Sequence, residues 1–480
     1  MSLHAQLSPE ALQRLHAQRR NSSISSVAIA FLTVVLVGLL LGVFLLPNLV
    51  KDVPVIVTYQ SNTEEDPSLQ EKKVQTSMDR KPSSPSSSMA KVITANTTSP
   101  TAIPTPDVDV ATPSLDFGDG NDFGSGWGDG DGAGGGFGNV PATMKKRCSK
   151  QDRLARLKES GGTPECEDAV VNALVWLKKT QNADGSWDKA HPVAMTAFAL
   201  LAYLGHCETP QSQEFGDSVS RGIAYLVNVG LKNDGKLTNK PAASIQWVYD
   251  HGIATYALAE AYTLCDSINH DIPDLDKVVK KAVDMILKGQ GDSGGWLYRY
   301  DPTPNSGDNS VGFWQIQALK ASKHTKLMSD GELKKHSNRA LKFLDSVQGQ
   351  DGAIGYRNNP AQSPGLTGGG VLCFQLWDGD SKNIKKGVKY IDKNSEFKWG
   401  SPGANLYYHY YNVQALINYG GSEWDDYNKR FRDELLKNQQ KDGSWVQSVG
   451  NHGPINTHMA TCLATLMLEA YYRFLPGSAK

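Results

Sequence analysis

The sequence predicts an all-α protein, an (α/α)6 toroid of six helical hairpins in two concentric rings. Two observations predict this fold. A turn containing Gln, Gly and an aromatic residue recurs at a period near fifty residues, which is typical of stacked or closed repeat architectures. Each turn also joins an amphipathic helix to a helix that is apolar on nearly every face. A third observation, an uncharged N-terminal stretch, predicts a single transmembrane helix and a disordered linker before the toroid.

The overall charge excludes one class of partner. The 480 residues contain 49 Lys and Arg against 50 Asp and Glu, for a formal net charge of -1. A protein that binds nucleic acid generally carries a basic excess, so no nucleic-acid partner is expected.

The N-terminal region predicts an anchor in the lipid bilayer. Residues 27–46 carry no charge and, as a helix, would span about 30 Å, the thickness of a bilayer core. Arg14, Arg19 and Arg20 precede the stretch, and basic residues favour the cytoplasmic side. The sequence therefore predicts a cytoplasmic tail at 1–25, a single-pass anchor at 26–50 and the toroid outside the cytoplasm.

A linker is predicted between this anchor and the toroid. Residues 51–145 are first rich in Ser, Thr and Pro and then in Gly and Asp, with no helical or strand period. Such a chain buries too little apolar surface to offset its conformational entropy, so it is expected to stay flexible. The toroid domain is then assigned to residues 146–480.

The repeat is clearest in its turns. Three of them place a Trp six residues after a Gln, at 181–187, 290–296 and 439–445, and weaker copies start at 231, 348 and 393. The helix before a turn is amphipathic, as at 278–289, whereas the helix after it is apolar almost all round, as at 193–204. Because a helix apolar on every face is buried, the alternation predicts an exposed outer ring and a buried inner ring.

These turns resemble the repeat of the squalene–hopene and oxidosqualene cyclases and of the protein prenyltransferase β-subunits. The resemblance covers roughly residues 165–475 and implies the α/α-toroid fold, in which the Gln and Trp of each turn staple outer helices together. It does not imply a reaction, because one fold hosts unrelated functions.

The catalytic motifs implied by the resemblance are incomplete. Asp308 and His458 are similar to two of the three prenyltransferase zinc ligands, but Ser310 stands at the cysteine position and a hydroxyl is a poor zinc ligand. We therefore expect no cofactor, with Asp308 and His458 as weak metal candidates. The Asp-x-Asp-Asp acid that the cyclase resemblance implies is absent from the sequence, so squalene cyclisation is not expected.

Polar and aromatic residues at the starts of the inner helices are the remaining candidates, because these helix ends are expected to open on the cavity. The catalytic candidates are Asp250, His251, Asp308, His409 and His458. The candidates for binding a substrate are Trp314, Tyr407, Tyr408 and Tyr411, although half of the Tyr407–Tyr411 run would face the core at helical spacing.

Two functions stay open. One is a ligand-binding or scaffold module without the family's catalysis. The other is an enzyme that acts in the cavity on an isoprenoid lipid or, as a lyase or hydrolase, on a polysaccharide. Convergence of Asp250, Asp308, His409 and His458 around one pocket would favour the enzyme. An apolar lining would favour a lipid, and a wet, carboxylate-lined groove would favour a sugar.

The six cysteines add one expectation. Cys148 and Cys166 flank the entrance to the domain and could pair in an oxidising compartment. The other four lie on or near inner helices and are interpreted as small core residues.

Overall fold

The computed structural model describes residues 147–300, 307–446 and 456–473. Within these residues there are thirteen α-helices and no β-strand, only an isolated bridge between Gln348 and Ile354. The all-helical prediction is confirmed for this part of the chain. The predicted linker at 51–145 lies outside the described residues.

Helix α1 (Lys150–Glu159) leads into six helical hairpins. The outer helices are amphipathic: α2 (Pro164–Thr180), α4 (Gly216–Lys232), α6 (Leu275–Lys288), α8 (Asp330–Val347), α10 (Ser381–Asn394) and α12 (Gly421–Asn438). The inner helices are buried along most of their length: α3 (Pro192–Gly205), α5 (Trp247–Ser267), α7 (Asn309–Thr325), α9 (Thr367–Leu376), α11 (Leu406–Tyr419) and α13 (Thr457–Arg473). Successive inner helices pack on each other and α13 packs on α3, so the inner ring is closed.

The glutamines of the turns hold neighbouring repeats together. Gln181 Nε2 donates to Gly185 O within its own turn (2.9 Å) and to Ser218 O on the next outer helix (3.0 Å). Gln290 and Gln348 each make the same two bonds, one within their own turn and one to the next outer helix, at His336 O and Asn383 O. Gln439 Nε2 reaches Ala169 O on α2 at 2.8 Å, so the last turn fastens the ring to its first outer helix.

The Trp and the Gly of each turn are also explained by contacts close by in the structure. The Trp187 indole donates to Leu177 O at the end of the preceding helix (2.7 Å), which closes the turn over that helix. Gly185 has a φ of +90°, and a Cβ there would lie 2.4 Å from Arg221 O on the next outer helix. Only glycine accepts both the left-handed conformation and the close approach of the neighbouring backbone.

Aromatic side chains fill the centre of the inner ring. Phe198, Trp314 and Tyr410 come from three alternate inner helices, α3, α7 and α11. The Trp314 ring stacks on Tyr410 at 5.6 Å and meets Phe198 edge-on at 5.3 Å. Since Trp314 is fully buried, this layer fills the middle of the barrel.

Below this layer, towards the C-terminal ends of the inner helices, lie four buried charged residues that we call the basal ion cluster: Arg147, Glu260, Glu469 and Arg473. Arg473 Nη2 donates to both carboxylate oxygens of Glu260 at 3.0 Å, and Arg147 Nη2 lies 3.7 Å from the same carboxylate. Burying charge is costly unless it is paired, and Glu260 provides that pairing for both arginines.

The predicted Cys148–Cys166 pairing is wrong. Cys148 is joined to Cys207, with 4.9 Å between the Cα atoms, and Cys166 is a free, buried cysteine. The reason is the path of the segment before α1, which places Cys148 beside Cys207, two residues after the end of the first inner helix. Cys166 lies in the first turn of α2 and faces the core.

The prediction of a single-pass membrane protein with its toroid outside the cytoplasm is corrected. Across the part of the chain that the structure describes, no helix is both long and apolar enough to cross a bilayer. Residues 27–46, on which the prediction of a bilayer partner rested, lie outside the described residues.

Candidate functional site

The N-terminal ends of the inner helices bring a group of polar and aromatic side chains together at one end of the barrel. Three inner helices contribute, and two turns add a tyrosine each. We call this group the mouth cluster: Tyr249, Tyr298, Asp308, Ser310, Tyr356 and Tyr407.

Hydrogen bonds connect the cluster into one network. Ser310 Oγ donates to Asp308 Oδ1 (2.5 Å) and lies 2.7 Å from the hydroxyl of Tyr249. From there the hydroxyls continue to Tyr298 (3.4 Å) and on to Tyr356 (2.7 Å). Tyr407 crosses the ring to donate to Ser310 O at 2.9 Å. A buried carboxylate is thus linked to four half-buried tyrosines.

Asp308 begins α7 as its N-cap. Its Oδ1 accepts from Ser310 N at 3.0 Å and from Val311 N at 3.4 Å, as aspartate does at helix starts. Its Oδ2 is buried and has no hydrogen-bond partner within the described residues. An unpaired buried oxygen costs on the order of 1–3 kcal/mol, so a donor supplied by a ligand would be favourable there.

The tyrosines of the cluster are held in their protonated form. Burial raises the pKa of Tyr249 to about 12, and the nearby Asp308 contributes to this increase. Burial also raises the pKa of Tyr298, Tyr356 and Tyr407. Near neutral pH these groups are therefore hydroxyls that can donate as well as accept hydrogen bonds.

Asp250 and His251 lie beside the cluster on α5 but have different environments. Asp250 is buried, its Oδ2 accepts from Thr238 Oγ1 at 2.7 Å, and burial raises its pKa to about 6. His251 Nδ1 accepts from Leu237 N at 3.0 Å and its Nε2 lies 3.1 Å from Ala282 O. Its pKa is lowered by burial to about 4, so it is a neutral imidazole. Its hydrogen bond to Leu237 N holds the preceding turn in place.

His409 lies between the inner and outer rings. Its Nε2 lies 2.6 Å from Gly403 O, and its Nδ1 contacts the hydroxyl of Tyr427 on the outer helix α12. Burial lowers its pKa to about 4. Both ring nitrogens are occupied by protein groups, so His409 is not directed to the mouth.

His458 occupies the first turn of α13. Its ring packs against Trp176 of α2 at 4.9 Å, and burial lowers its pKa while nearby Asp188 opposes that change. His458 is on the sixth inner helix and Asp308 on the third, so they belong to opposite sides of the ring. Across the described ranges, no group of three His, Cys, Asp or Glu side chains is placed to hold a metal ion.

The five catalytic candidates therefore do not converge on one site. Of the predicted binding aromatics, Tyr407 belongs to the mouth cluster, and Trp314 lies directly beneath it with its indole donating to the Tyr407 hydroxyl at 2.9 Å. Tyr411 is fully buried against Phe313 and Trp314. Tyr408 is half-buried, with its ring 6.3 Å from that of Tyr407.

Tyr298 and Tyr356 were missed by the sequence reasoning. Each stands two residues after the apolar position of its turn, after Trp296 and Ile354. This shared offset was a usable signal, because equivalent positions in successive repeats lie side by side on the ring.

No protein-family model and no curated protein sequence matches this chain. Among solved structures, it is similar to an inactive variant of an alpha-1,6-mannanase of Salegentibacter sp. HEL1_6 in complex with alpha-1,6-mannotriose. That match has 10% identity and a TM-score of 0.47 and covers 64% of this chain and 99% of the other. A type II terpene cyclase from Scytonema in complex with geranylgeranyl dihydroxybenzoate matches at 12% identity and TM-score 0.41, covering 64% and 97%. A D-mannose isomerase matches at 10% identity and TM-score 0.47, covering 64% and 96%.

Proposed function

We propose that the chain is a glycan-binding α/α-toroid protein and that the mouth cluster is its binding site. The observation that carries this proposal is the hydrogen-bonded network of tyrosine hydroxyls ending on the buried carboxylate of Asp308. Sugars present hydroxyl groups in several directions and apolar ring faces. Hydroxyl and carboxylate partners beside aromatic rings suit both properties.

The filled centre of the barrel favours a glycan over an isoprenoid lipid. A long apolar ligand needs an apolar cavity of matching depth, whereas Phe198, Trp314 and Tyr410 occupy the middle of the ring. Above that layer the side chains that face the opening carry hydroxyl groups. A sugar chain lying across the mouth would contact them without entering the barrel.

Binding assays with the full chain test the proposal. A panel of polysaccharides is screened by affinity electrophoresis, and Asp308→Asn is compared with Asp184→Asn. Asp184 accepts from Ser186 N and Oγ at 3.0 and 2.7 Å, the same local pattern as Asp308, but in a turn outside the mouth. Thermal unfolding checks that both variants fold.

Asp308→Asn is expected to weaken glycan binding by about tenfold or more, the effect of losing a hydrogen bond to a charged group. Asp184→Asn should bind as the wild type does. Equal affinities for the two variants, or binding of geranylgeraniol in place of any glycan, would overturn the proposal.

A second candidate, cleavage of the bound glycan, is favoured by one observation. Asp250, adjacent in sequence to Tyr249, has a pKa raised by burial to about 6, whereas Asp308 is a capping carboxylate that accepts three hydrogen bonds. Two carboxyl groups in unlike environments suit a general acid and a base.

Cleavage is tested by measuring new reducing ends and unsaturated products after incubation with a bound polysaccharide. If Asp250 is the acid, the rate should fall as pH rises above about 6 and be lost in Asp250→Asn. Tight binding with no product would exclude catalysis and leave the binding function.

A further inference from the structure

Arg357 lies at the rim of the mouth cluster in a fixed position. It follows Tyr356 in the segment between α8 and α9, and this segment is tied to the start of α7. Asn309 N donates to Tyr356 O at 2.9 Å, and Asn309 Nδ2 donates to Gly355 O at 2.7 Å. The same amide contacts Arg357 O at 3.4 Å. Because Asn309 is next to Asp308, these bonds hold the rim beside the buried carboxylate.

The guanidinium group of Arg357 is half-enclosed and available to a ligand. Its central carbon lies 5.2 Å from the centre of the Tyr356 ring, a stacked position that orients the guanidinium over the tyrosine. Its Nε is shielded from solvent and has no hydrogen-bond partner within the described ranges. The positive charge favours ionisation of Tyr356, although burial dominates and raises the pKa of that hydroxyl.

Other arginines of the toroid are engaged by protein groups. Arg153 pairs with Glu167 at 2.7 Å, and Arg339 donates to Gln290 Oε1 at 3.0 Å. Arg357 forms no ion pair of this kind with a described carboxylate. A planar guanidinium with free donors matches carboxylate and sulfate groups by paired hydrogen bonds.

We propose that Arg357 selects glycans that carry an anionic substituent, a carboxylate or a sulfate ester, for the site formed by the mouth cluster. This inference rests on the proposed glycan-binding function and names its substrate class. The anionic group would lie over Tyr356 and accept from the guanidinium, while the sugar ring contacts the tyrosines. The N-terminal ends of α5, α7 and α11 point to the same opening and add positive potential.

The test uses two pairs of polymers that differ only in charge. Polygalacturonate is compared with its fully methyl-esterified form, and dextran sulfate with dextran, in affinity measurements on the full chain. The variants are Arg357→Gln, Arg357→Lys and the control Lys389→Gln, which removes an exposed positive charge from the outer helix α10.

The wild type and Lys389→Gln should bind the charged member of at least one pair about tenfold or more tightly than its neutral partner. Arg357→Gln should reduce this preference to within about twofold while keeping its affinity for the neutral polymer. Arg357→Lys should fall between them, because it keeps the charge without the planar fork. The polymer pair in which the charged member binds more tightly shows whether the site prefers a carboxylate or a sulfate.

Three results would overturn the inference. If the wild type binds charged and neutral polymers equally, or if Lys389→Gln loses as much preference as Arg357→Gln, anion selection by Arg357 fails and the glycan-binding function stands. If the wild type binds none of the four polymers and no other glycan, both proposals fail together.

Discussion

The two arginines of the basal ion cluster should contribute very differently to stability, although both contact Glu260. Arg473 makes two hydrogen bonds of 3.0 Å to the carboxylate, and Glu260 raises its pKa even though burial opposes the charge. Arg147 lies at 3.7 Å, its Nε and Nη2 have no hydrogen-bond partner within the described residues, and burial lowers its pKa. The structure therefore predicts a strong and a weak partner for one buried carboxylate.

Breaking a buried ion pair from one side costs about 3–5 kcal/mol. We expect Arg473→Met to fall in this range. Over a folded region of about 310 residues, a loss of about 4 kcal/mol lowers Tm by roughly 6 °C. Arg147→Met should cost about 1 kcal/mol or less, because it removes a charge whose burial is poorly compensated.

Urea unfolding of the full chain at neutral pH, followed by far-UV circular dichroism, measures both free energies of unfolding. Met fills a volume similar to the arginine stem, so loss of packing is small in each variant and the difference reports the charge contacts. Equal losses for the two variants, or a larger loss for Arg147→Met, would refute this account of the cluster.

Three further predictions concern other parts of the toroid. Burial raises the pKa of Glu469 well above its ordinary value, so wild-type stability should decrease as pH rises through that raised value. Glu469→Gln should remove the slope in urea unfolding at several pH values. Reducing the Cys148–Cys207 disulfide, whose cysteines are 59 residues apart, should cost about 2–4 kcal/mol in calorimetry, and an unchanged Tm after dithiothreitol would contradict this. Gln439→Ala should lower the free energy of unfolding by about 1–3 kcal/mol, because it removes two hydrogen bonds. Gln440 is the exposed neighbouring residue, and Gln440→Ala should unfold like the wild type.

The helical repeat could be predicted because the residues that define it lie close together in the sequence. Gln, Gly and Trp recur at fixed offsets, and each does its work within one turn and the next outer helix. The inner helix expected at 193–204 is found at Pro192–Gly205. The outer helix expected at 278–289 is found at Leu275–Lys288.

The candidate site was predicted only in part, since it depends on contacts across the ring. Asp308 and Tyr407 could be named because they start inner helices, but their connection through Ser310 joins residues nearly a hundred positions apart. The histidines looked equally favourable in the sequence. Only the structure shows that backbone groups occupy both nitrogens of His251, and that His409 is held by Gly403 and Tyr427.

The position of Cys148 fixes where the preceding chain joins the toroid. The disulfide to Cys207 and the contact of Arg147 with Glu260 hold this junction at the C-terminal end of the inner ring. Tyr249 of the mouth cluster lies on the same helix as Glu260, about 16 Å away at 1.5 Å per residue. Whatever is attached ahead of residue 147 therefore connects at the pole opposite the mouth. A fusion partner joined directly ahead of Arg147 should leave the mouth cluster unobstructed.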